Sequence, residues 1–346
     1  MINRKTIYCE YDFWKEFSES YPTTVTPNAD MMQYMQCWIN IFSLCCKSNM
    51  KLDITSQDLL EKTKQDKFLK MLWKKSSDGC CGLDCIKEKF PHVRELSAEN
   101  VNDENLNAVY MTTEEKENCL KTANRLGVVI INKQEIVNCD LLFRDNGKAI
   151  RKNEKNTNNW HFLKRDHFNN CNCLIIVDNY LLSDTNSIKE NLPSILDALL
   201  PIKTTIPFNI SFFCFEMKNN EKERYILVDK IIKDLRNDLT YNLTLYKCEN
   251  GAFHDRAIIS NNYWISCGGG FDLFKKGRST KSTTVNITFP FLQSSSDWVD
   301  EAYLNLIKDA LKVDNNAIQN NQTHYCNYWG NNKENRLLRY YTQPTE

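Results

Sequence analysis

Glycine and proline are scarce in this chain, ten and eight among 346 residues, which excludes Gly/Pro-rich low-complexity structure. No apolar run approaches the roughly 20 residues that a membrane-spanning helix needs. Charge of one sign is also lacking. Forty-four basic residues balance 44 acidic ones, so no global field announces a nucleic-acid or membrane partner, and any such partner must be held by a local patch. The opening stretch MINRKTIYCEYDFWKEF has no apolar core of a secretion signal. Together these absences predict a cytoplasmic protein without a transmembrane segment.

Cysteine, by contrast, is plentiful at 15. Cys37, Cys45, Cys46 and Cys214 sit in apolar stretches, as a reduced core uses them, rather than in a disulfide framework. Abundant Asn and Lys fit a bacterial source. A length of 346 residues predicts two domains, and 42% hydrophobic content is ample for two cores.

Residues 1–143 read as an α/β domain. Strands are expected at 6–9, 50–54, 108–111 and 128–132, and helices at 31–47, 56–75 (capped by Ser56) and 113–126 (capped by Thr113). The succession strand–helix–strand over 108–132 predicts parallel pairing. Residues 144–172 are charged, Asn-rich and poor in apolar side chains, and read as a linker. A second α/β block fills 173–313. Its strands are expected at 173–177, 206–215, 244–247, 257–260, 263–267 and 284–289, and its helices at 188–200, 223–239 and 297–312. Residues 314–346 read as a loosely docked tail. No internal repeat is apparent.

The densest chemistry lies at residues 253–274, FHDRAIISNNYWISCGGGFDLF. His254 and Arg256 are two apart, so a strand would project both from one face. Gly268, Gly269 and Gly270 let the backbone curl and present N–H groups, with a helix expected to begin over 271–275. An imidazole, a guanidinium and a glycine nest form a candidate phosphate site, with Asn261 as a further ligand-binding candidate. The alternative is that His254, Asp255 and Arg256 form a buried polar cluster bracing the sheet edge. Trp264, Phe271 and Phe274 read as core.

The pattern His254-x-Arg256-x4-Asn261 resembles the His-x-Lys-x4-Asp motif of phospholipase D-like enzymes, with Arg for Lys and Asn for Asp. That chemistry needs a His nucleophile, a cation on the phosphate oxygens and a second His as general acid. One copy of the motif therefore implies a homodimer for any active phosphodiesterase using His254 and Arg256. Residues 173–312 also resemble the C-terminal domain of MIT-domain-containing proteins, a non-catalytic phospholipase D-like fold. LIIVDNYLL at 174–182 matches its opening strand. His254, Asp255, Arg256, Trp264, Ile265, Gly268, Gly270, Asp272 and Phe274 match its second block. The resemblance implies recognition of a phosphate-bearing ligand, either anionic lipid or nucleic acid, with no cofactor.

In the N-terminal half, Asp12, Asp53, Asp84 and Asp140 fall near the ends of expected elements. Carboxylates so placed in a parallel sheet can gather Mg²⁺ or Mn²⁺ for phosphodiester cleavage. The element order loosely resembles a three-layer PIN-type nuclease domain, in which Asp12, Asp53 and Asp84 would be catalytic. Solvated surface carboxylates are the competing reading. Cys80, Cys81 and Cys85 would ligate zinc only if His92, His161 or His167 joined them, and a turn with buried thiols is favoured. His161 and His167, with Lys164, Arg165 and Asp166, form a basic patch. A nuclease directed by a degenerate phospholipase D-like domain would imply a bacterial defence or toxin role.

Overall fold

The computed structural model describes all residues except 1–3, 24–27, 136–145, 156–158, 165–169, 216–220, 249–251, 291–296, 320–326, 331–334 and 343–346. The chain divides into two units, Met1–Arg144 with Phe289–Asp297, and Asp145–Thr288 with Trp298–Glu346. Both are α/β.

The first unit runs β1 (Thr6–Cys9), α1 (Tyr11–Glu19), α2 (Ala29–Lys47), β2 (Asn49–Leu52), α3 (Ser56–Lys62), α4 (Lys67–Ser77), β3 (Gly82–Cys85), α5 (Asp103–Asn107), β4 (Val109–Thr112), α6 (Lys116–Leu126) and β5 (Val129–Asn132). Its five strands are all parallel in the order β3-β2-β1-β4-β5. Every residue of β1, β4 and β5 is buried, as a parallel sheet covered on both faces requires. The order reverses between β1 and β4, which places a crevice at their carboxyl ends. Trp38 locks the helices together: it stacks on Phe17 at 4.6 Å, packs on Phe68 at 4.5 Å, and donates Nε1–H to the Phe17 carbonyl at 2.9 Å.

The helix expected over 56–75 is two helices. Asp66 accepts the N–H groups of Phe68 and Leu69 and so starts a new one. Thr55, not Ser56, caps the first, in a reciprocal pair with Asp58. Thr113 caps nothing, because its N–H and hydroxyl both go to Glu10.

The second unit contains β6 (Asn146–Ile150), β7 (Cys173–Val177), α7 (Thr185–Leu199), β8 (Phe208–Cys214), α8 (Glu221–Leu235), β9 (Tyr241–Lys247), β10 (Ala257–Ser260), β11 (Trp264–Cys267), β12 (Phe274–Lys275), β13 (Arg278–Ser279), β14 (Thr283–Thr288), α9 (Asp297–Gln319), β15 (Asn327–Gly330) and α10 (Arg336–Thr342). Eight strands form one mixed sheet, β15-β9-β8-β7-β10-β11-β14-β6, in which β7, β8 and β9 are parallel and the rest antiparallel to their neighbours. β12 and β13 make a separate two-stranded ribbon.

Two sequence expectations are corrected here. The 144–172 stretch is not a free linker: it supplies the edge strand β6, and Trp160 and Leu163 are fully buried. Its polar composition reflects the edge position of β6, where of the residues 147–150 only Ile150 is buried. The 314–346 stretch is not loosely docked, because α10 is anchored in the unit. Asn335 donates Nδ2–H to the Leu174 carbonyl and to Ser211 Oγ, at 3.2 and 3.1 Å. The nearly buried Arg336 guanidinium donates to the carbonyls of Asn172 and Pro207, at 3.1 and 3.2 Å.

Candidate functional site

Because β7, β8 and β9 run parallel, the loops that follow them emerge at one edge of the sheet. Asp178 follows β7 directly. The antiparallel register pairs Ala257 with Val177, so Arg256 stands opposite Asp178 at that same edge. β11 returns there as well, where Cys267 donates its N–H to the Arg256 carbonyl at 3.1 Å, and the three glycines follow. The sequence-derived convergence of Arg256 with Gly268, Gly269 and Gly270 is therefore present. Asn261 is not part of it. It lies at the far end of β10, 2% exposed, and accepts the Asn172 N–H.

Two of the three glycine amides in the turn are spent inside the protein. Gly269 N–H donates to Thr283 Oγ1 at 2.8 Å, and Gly270 N–H to the Cys267 carbonyl at 3.0 Å. Phe271 N–H goes to Asp178 Oδ2 at 2.6 Å, while Asp178 Oδ1 accepts the N–H groups of Tyr180 and Leu181, both at 2.8 Å. The place an anion would take is filled by the protein's own carboxylate, which is fully buried. Burial raises the Asp178 pKa above the ordinary carboxylate value, against three N–H donors that favour the ionised form.

No helix starts at 271–275. Phe274 and Lys275 form β12 instead, and Phe271 and Phe274 are core, packed on Trp160 with ring centroids 5.3 Å away. His254 and Asp255 precede β10 and are exposed, so they are neither strand neighbours of Arg256 nor a buried brace. Arg256 donates Nη1–H to the Gly268 carbonyl at 2.9 Å, and its guanidinium lies 5.7 Å from the centre of the Tyr180 ring.

A cleft of about 620 Å³ opens between the start of α7 and the β12–β13 ribbon. Asp184 caps α7 by accepting the N–H groups of Asn186 and Ser187. Arg224, from the first turn of α8, is part of the lining. It donates Nη1–H to Thr185 Oγ1 and Nη2–H to the Ser183 carbonyl at 3.5 Å. Lys275, Thr280, Glu190 and Asp272 complete the lining that matters for chemistry. Arg224 Nε and Ser187 Oγ, on residues that line the cleft, are buried without a hydrogen-bond partner among the described residues, and so is Arg256 Nε beside the glycine turn. Sequence reading missed this site because its parts come from three separated segments. The Asp184-x-x-Ser187 start of α7 was the one local signal available.

Of the carboxylates expected to hold a metal, the described ones, Asp12, Asp53 and Asp84, are not gathered into a donor set. Asp12 is exposed on the first turn of α1, and Asp84 lies within β3 in register with Lys51. Asp53 follows β2 and accepts the Tyr11 N–H at 2.6 Å, while Asp140 lies outside the described residues. Among the described residues no group of three or more His, Cys, Asp or Glu is placed to hold a metal ion. Cys80 and Cys81 precede β3 and Cys85 ends it, so the strand separates them, and Cys81 Sγ faces the Leu72 carbonyl instead. Of their possible zinc partners, His92 engages Glu10, His161 pairs with Asp197 at 3.5 Å, and His167, with Arg165 and Asp166, lies outside the described residues.

What does occupy the β1/β4 crevice is Glu10, which sequence reading passed over. Its carboxylate accepts Thr112 Oγ1–H, Thr113 N–H and Thr113 Oγ1–H at 2.8, 2.8 and 2.9 Å, and His92 Nδ1 stands 3.4 Å away. Burial alone would push this carboxyl up, but the hydrogen bonds outweigh burial and hold its pKa below the ordinary glutamate value. Beside it, burial and the Glu10 charge push the Asp53 carboxyl up.

A depressed folded-state value means that the unfolded chain binds the proton more readily. Glu10 therefore stabilises the unit fully above the ordinary glutamate pKa, and that contribution is lost as pH falls through its folded value. Urea midpoints measured across the acid range are expected to fall more steeply in the parent chain than in Glu10→Gln; equal slopes would remove Glu10 from the account.

No protein-family model and no curated protein matches the chain. Among solved structures, TrmBL2, an archaeal chromatin protein with a novel mode of DNA binding, matches at a TM-score of 0.24 and 12% identity, over 51% of this chain and 57% of its own. The chain thus spans little more than half the length of that protein, and a likeness at that score carries no argument about function. Among the described residues no helix is long and apolar enough to cross a membrane.

Proposed function

We propose that the C-terminal unit recognises a phosphate-bearing ligand, without hydrolysing it, in the cleft beside α7. The observation that carries this reading is the cleft itself, whose lining gathers Arg224, Lys275, Ser187 and Thr280 beside the start of α7. A guanidinium offers phosphate a forked pair of charge-assisted hydrogen bonds, while a hydroxyl and an ammonium add single donors. The resemblance to a non-catalytic phospholipase D-like domain agrees with binding alone. So does the placement of the motif residues: His254 stands exposed, and Asn261 lies at the other end of β10 from Arg256. Of the other described histidines, His92 engages Glu10 and His161 pairs with Asp197, so neither is held ready as the second histidine of a two-His reaction.

Titration calorimetry with phosphate monoesters tests the proposal. Arg224→Ala is expected to weaken binding about tenfold to hundredfold, the cost of losing charge-assisted hydrogen bonds. Arg224→Lys should recover part of it, and His254→Ala should leave affinity within about twofold. Undiminished binding by Arg224→Ala, or loss on His254→Ala, would move the site back to the glycine turn.

A further inference from the structure

We infer that the β12–β13 ribbon and the loop after β6 form a second binding surface of the C-terminal unit, one that grips the phosphate backbone of duplex nucleic acid. It does not rest on the cleft beside α7, with which it shares only Lys275. The ladder pairs Lys275 of β12 with Arg278 of β13, and an antiparallel bridge pairs Arg278 in turn with Lys155. Residues paired directly across antiparallel strands point to the same face, with Cβ atoms about 5 Å apart. Three cations therefore stand in a row about 10 Å long, on the face opposite the buried Phe274 and Ser279. Like charges set directly opposite one another destabilise a sheet, which sets this row apart from singly solvated lysines. Lys155, Lys275 and Arg278 are exposed, and none has an ion pair among the described residues.

Backbone contacts, not carboxylates, hold these cations together. Asn153 N–H donates to the Ser279 carbonyl at 2.9 Å, Ser279 N–H to the Glu154 carbonyl at 3.1 Å, and Lys152 N–H to Ser282 Oγ at 2.9 Å. Arg151, Lys152 and Lys276, at the hairpin tip, add further exposed cations. Lys276 has φ +52°, where a hairpin turn ordinarily takes Asn, Asp or Gly, so its charge is kept there against backbone strain. The carboxylates beside them are engaged: Glu154 accepts the Arg151 N–H, Glu190 the Lys276 N–H, and Asp272 pairs with Lys281. The patch is thus strongly positive in a chain whose formal charge is zero. A two-stranded ribbon is narrow enough for a nucleic-acid groove, and Ser282 and Thr284 stand exposed as further phosphate donors. One phosphate cannot span the row, whereas successive phosphates along a strand can. Within 151–155 and 274–284 no apolar side chain is exposed to enter a bilayer, and no aromatic one to stack on an unpaired base. Duplex backbone is what remains.

Fluorescence anisotropy of the full chain with a labelled DNA duplex of arbitrary sequence decides the matter. Affinity is expected to fall as salt rises, with a log–log slope of about −3 or steeper, one counterion released for each cation of the row. Duplexes of unrelated sequence should bind within about twofold of each other. Lys155→Gln combined with Arg278→Gln is expected to weaken binding at least about tenfold and to flatten the slope by about two. Its urea midpoint should not fall, because removing like charges relieves the row, and this separates lost binding from lost fold. Lys203→Gln with Lys230→Gln removes the same charge from exposed positions elsewhere in the unit and should change affinity less than about twofold. Absent binding, a salt-independent affinity, equal losses in the two double variants, or tighter binding to phosphatidylserine vesicles than to the duplex overturns this inference. The cleft is read separately by monoester calorimetry, so either proposal can fail without the other.

Discussion

Asp178→Ala is expected to cost the C-terminal unit about 4–6 kcal/mol, since three backbone N–H groups lose their only acceptor at about 1–3 kcal/mol each and a void replaces the carboxylate. The groups are those of Tyr180, Leu181 and Phe271, and the Asp178 side chain is fully buried, so water does not stand in cheaply at the Leu181 and Phe271 amides. Set against the roughly 5–15 kcal/mol by which domains are stable, this loss leaves little or nothing in reserve. Asp178→Asn keeps the Oδ1 acceptor for Tyr180 and Leu181 but turns an NH₂ toward the Phe271 N–H, so it should cost about half as much. Urea unfolding gives the totals, and amide exchange at positions 180, 181 and 271 gives the mechanism. A shift below about 1 kcal/mol for the alanine variant would mean that the turn does not depend on this carboxylate.

The second large effect is expected at Gly270. Its φ is +84°, a region that L residues enter at a cost of about 1–3 kcal/mol. A Cβ there would also stand 2.8 Å from Asp272 Oδ1, 3.0 Å from Arg256 Cδ and 3.1 Å from Asp178 Oδ2. Strain and crowding together put Gly270→Ala at about 2–4 kcal/mol. Gly79→Ala separates the two causes. Its φ is +74°, but nothing lies within 4 Å of its Cβ, so it should lose about 1 kcal/mol from strain alone. Because one of the crowding atoms belongs to Asp178, Gly270→Ala and Asp178→Ala should combine to less than their sum. Full additivity, or equal losses at Gly79 and Gly270, would rule out the crowding account.

Strands buried on both faces were the most legible part of the sequence. Residues 173–177 and 257–260 form β7 and β10 with the expected bounds, because an apolar run of β-branched residues leaves little choice. Edge and amphipathic elements were harder. β6 is NGKAI, with little apolar content, and β3 is GLDC, with no residue fully buried. Both are held by pairing partners far along the chain, which no local pattern reports. α1 went unread, although Phe13, Trp14 and Phe17 all turn to the core.

The candidate site shows the same division. Strand register brings Arg256 beside the glycine turn, and the spacing of residues 256 to 270 was enough to expect that. What fills the turn is Asp178, 93 positions away, and what faces the cleft is Arg224, 39 positions beyond Thr185. Residue type alone did not separate a carboxylate that closes a loop from one that meets solvent. Glu10 and Asp178 each follow the first central strand of their unit, and each spends its charge on loop amides or hydroxyls.

The anchoring of α10 has a consequence for synthesis. Asn335 and Arg336 reach back to Asn172, Leu174 and Asn209, up to 164 positions earlier. During synthesis α10 docks on strands made well before it, a long-range closure of the kind that slows folding.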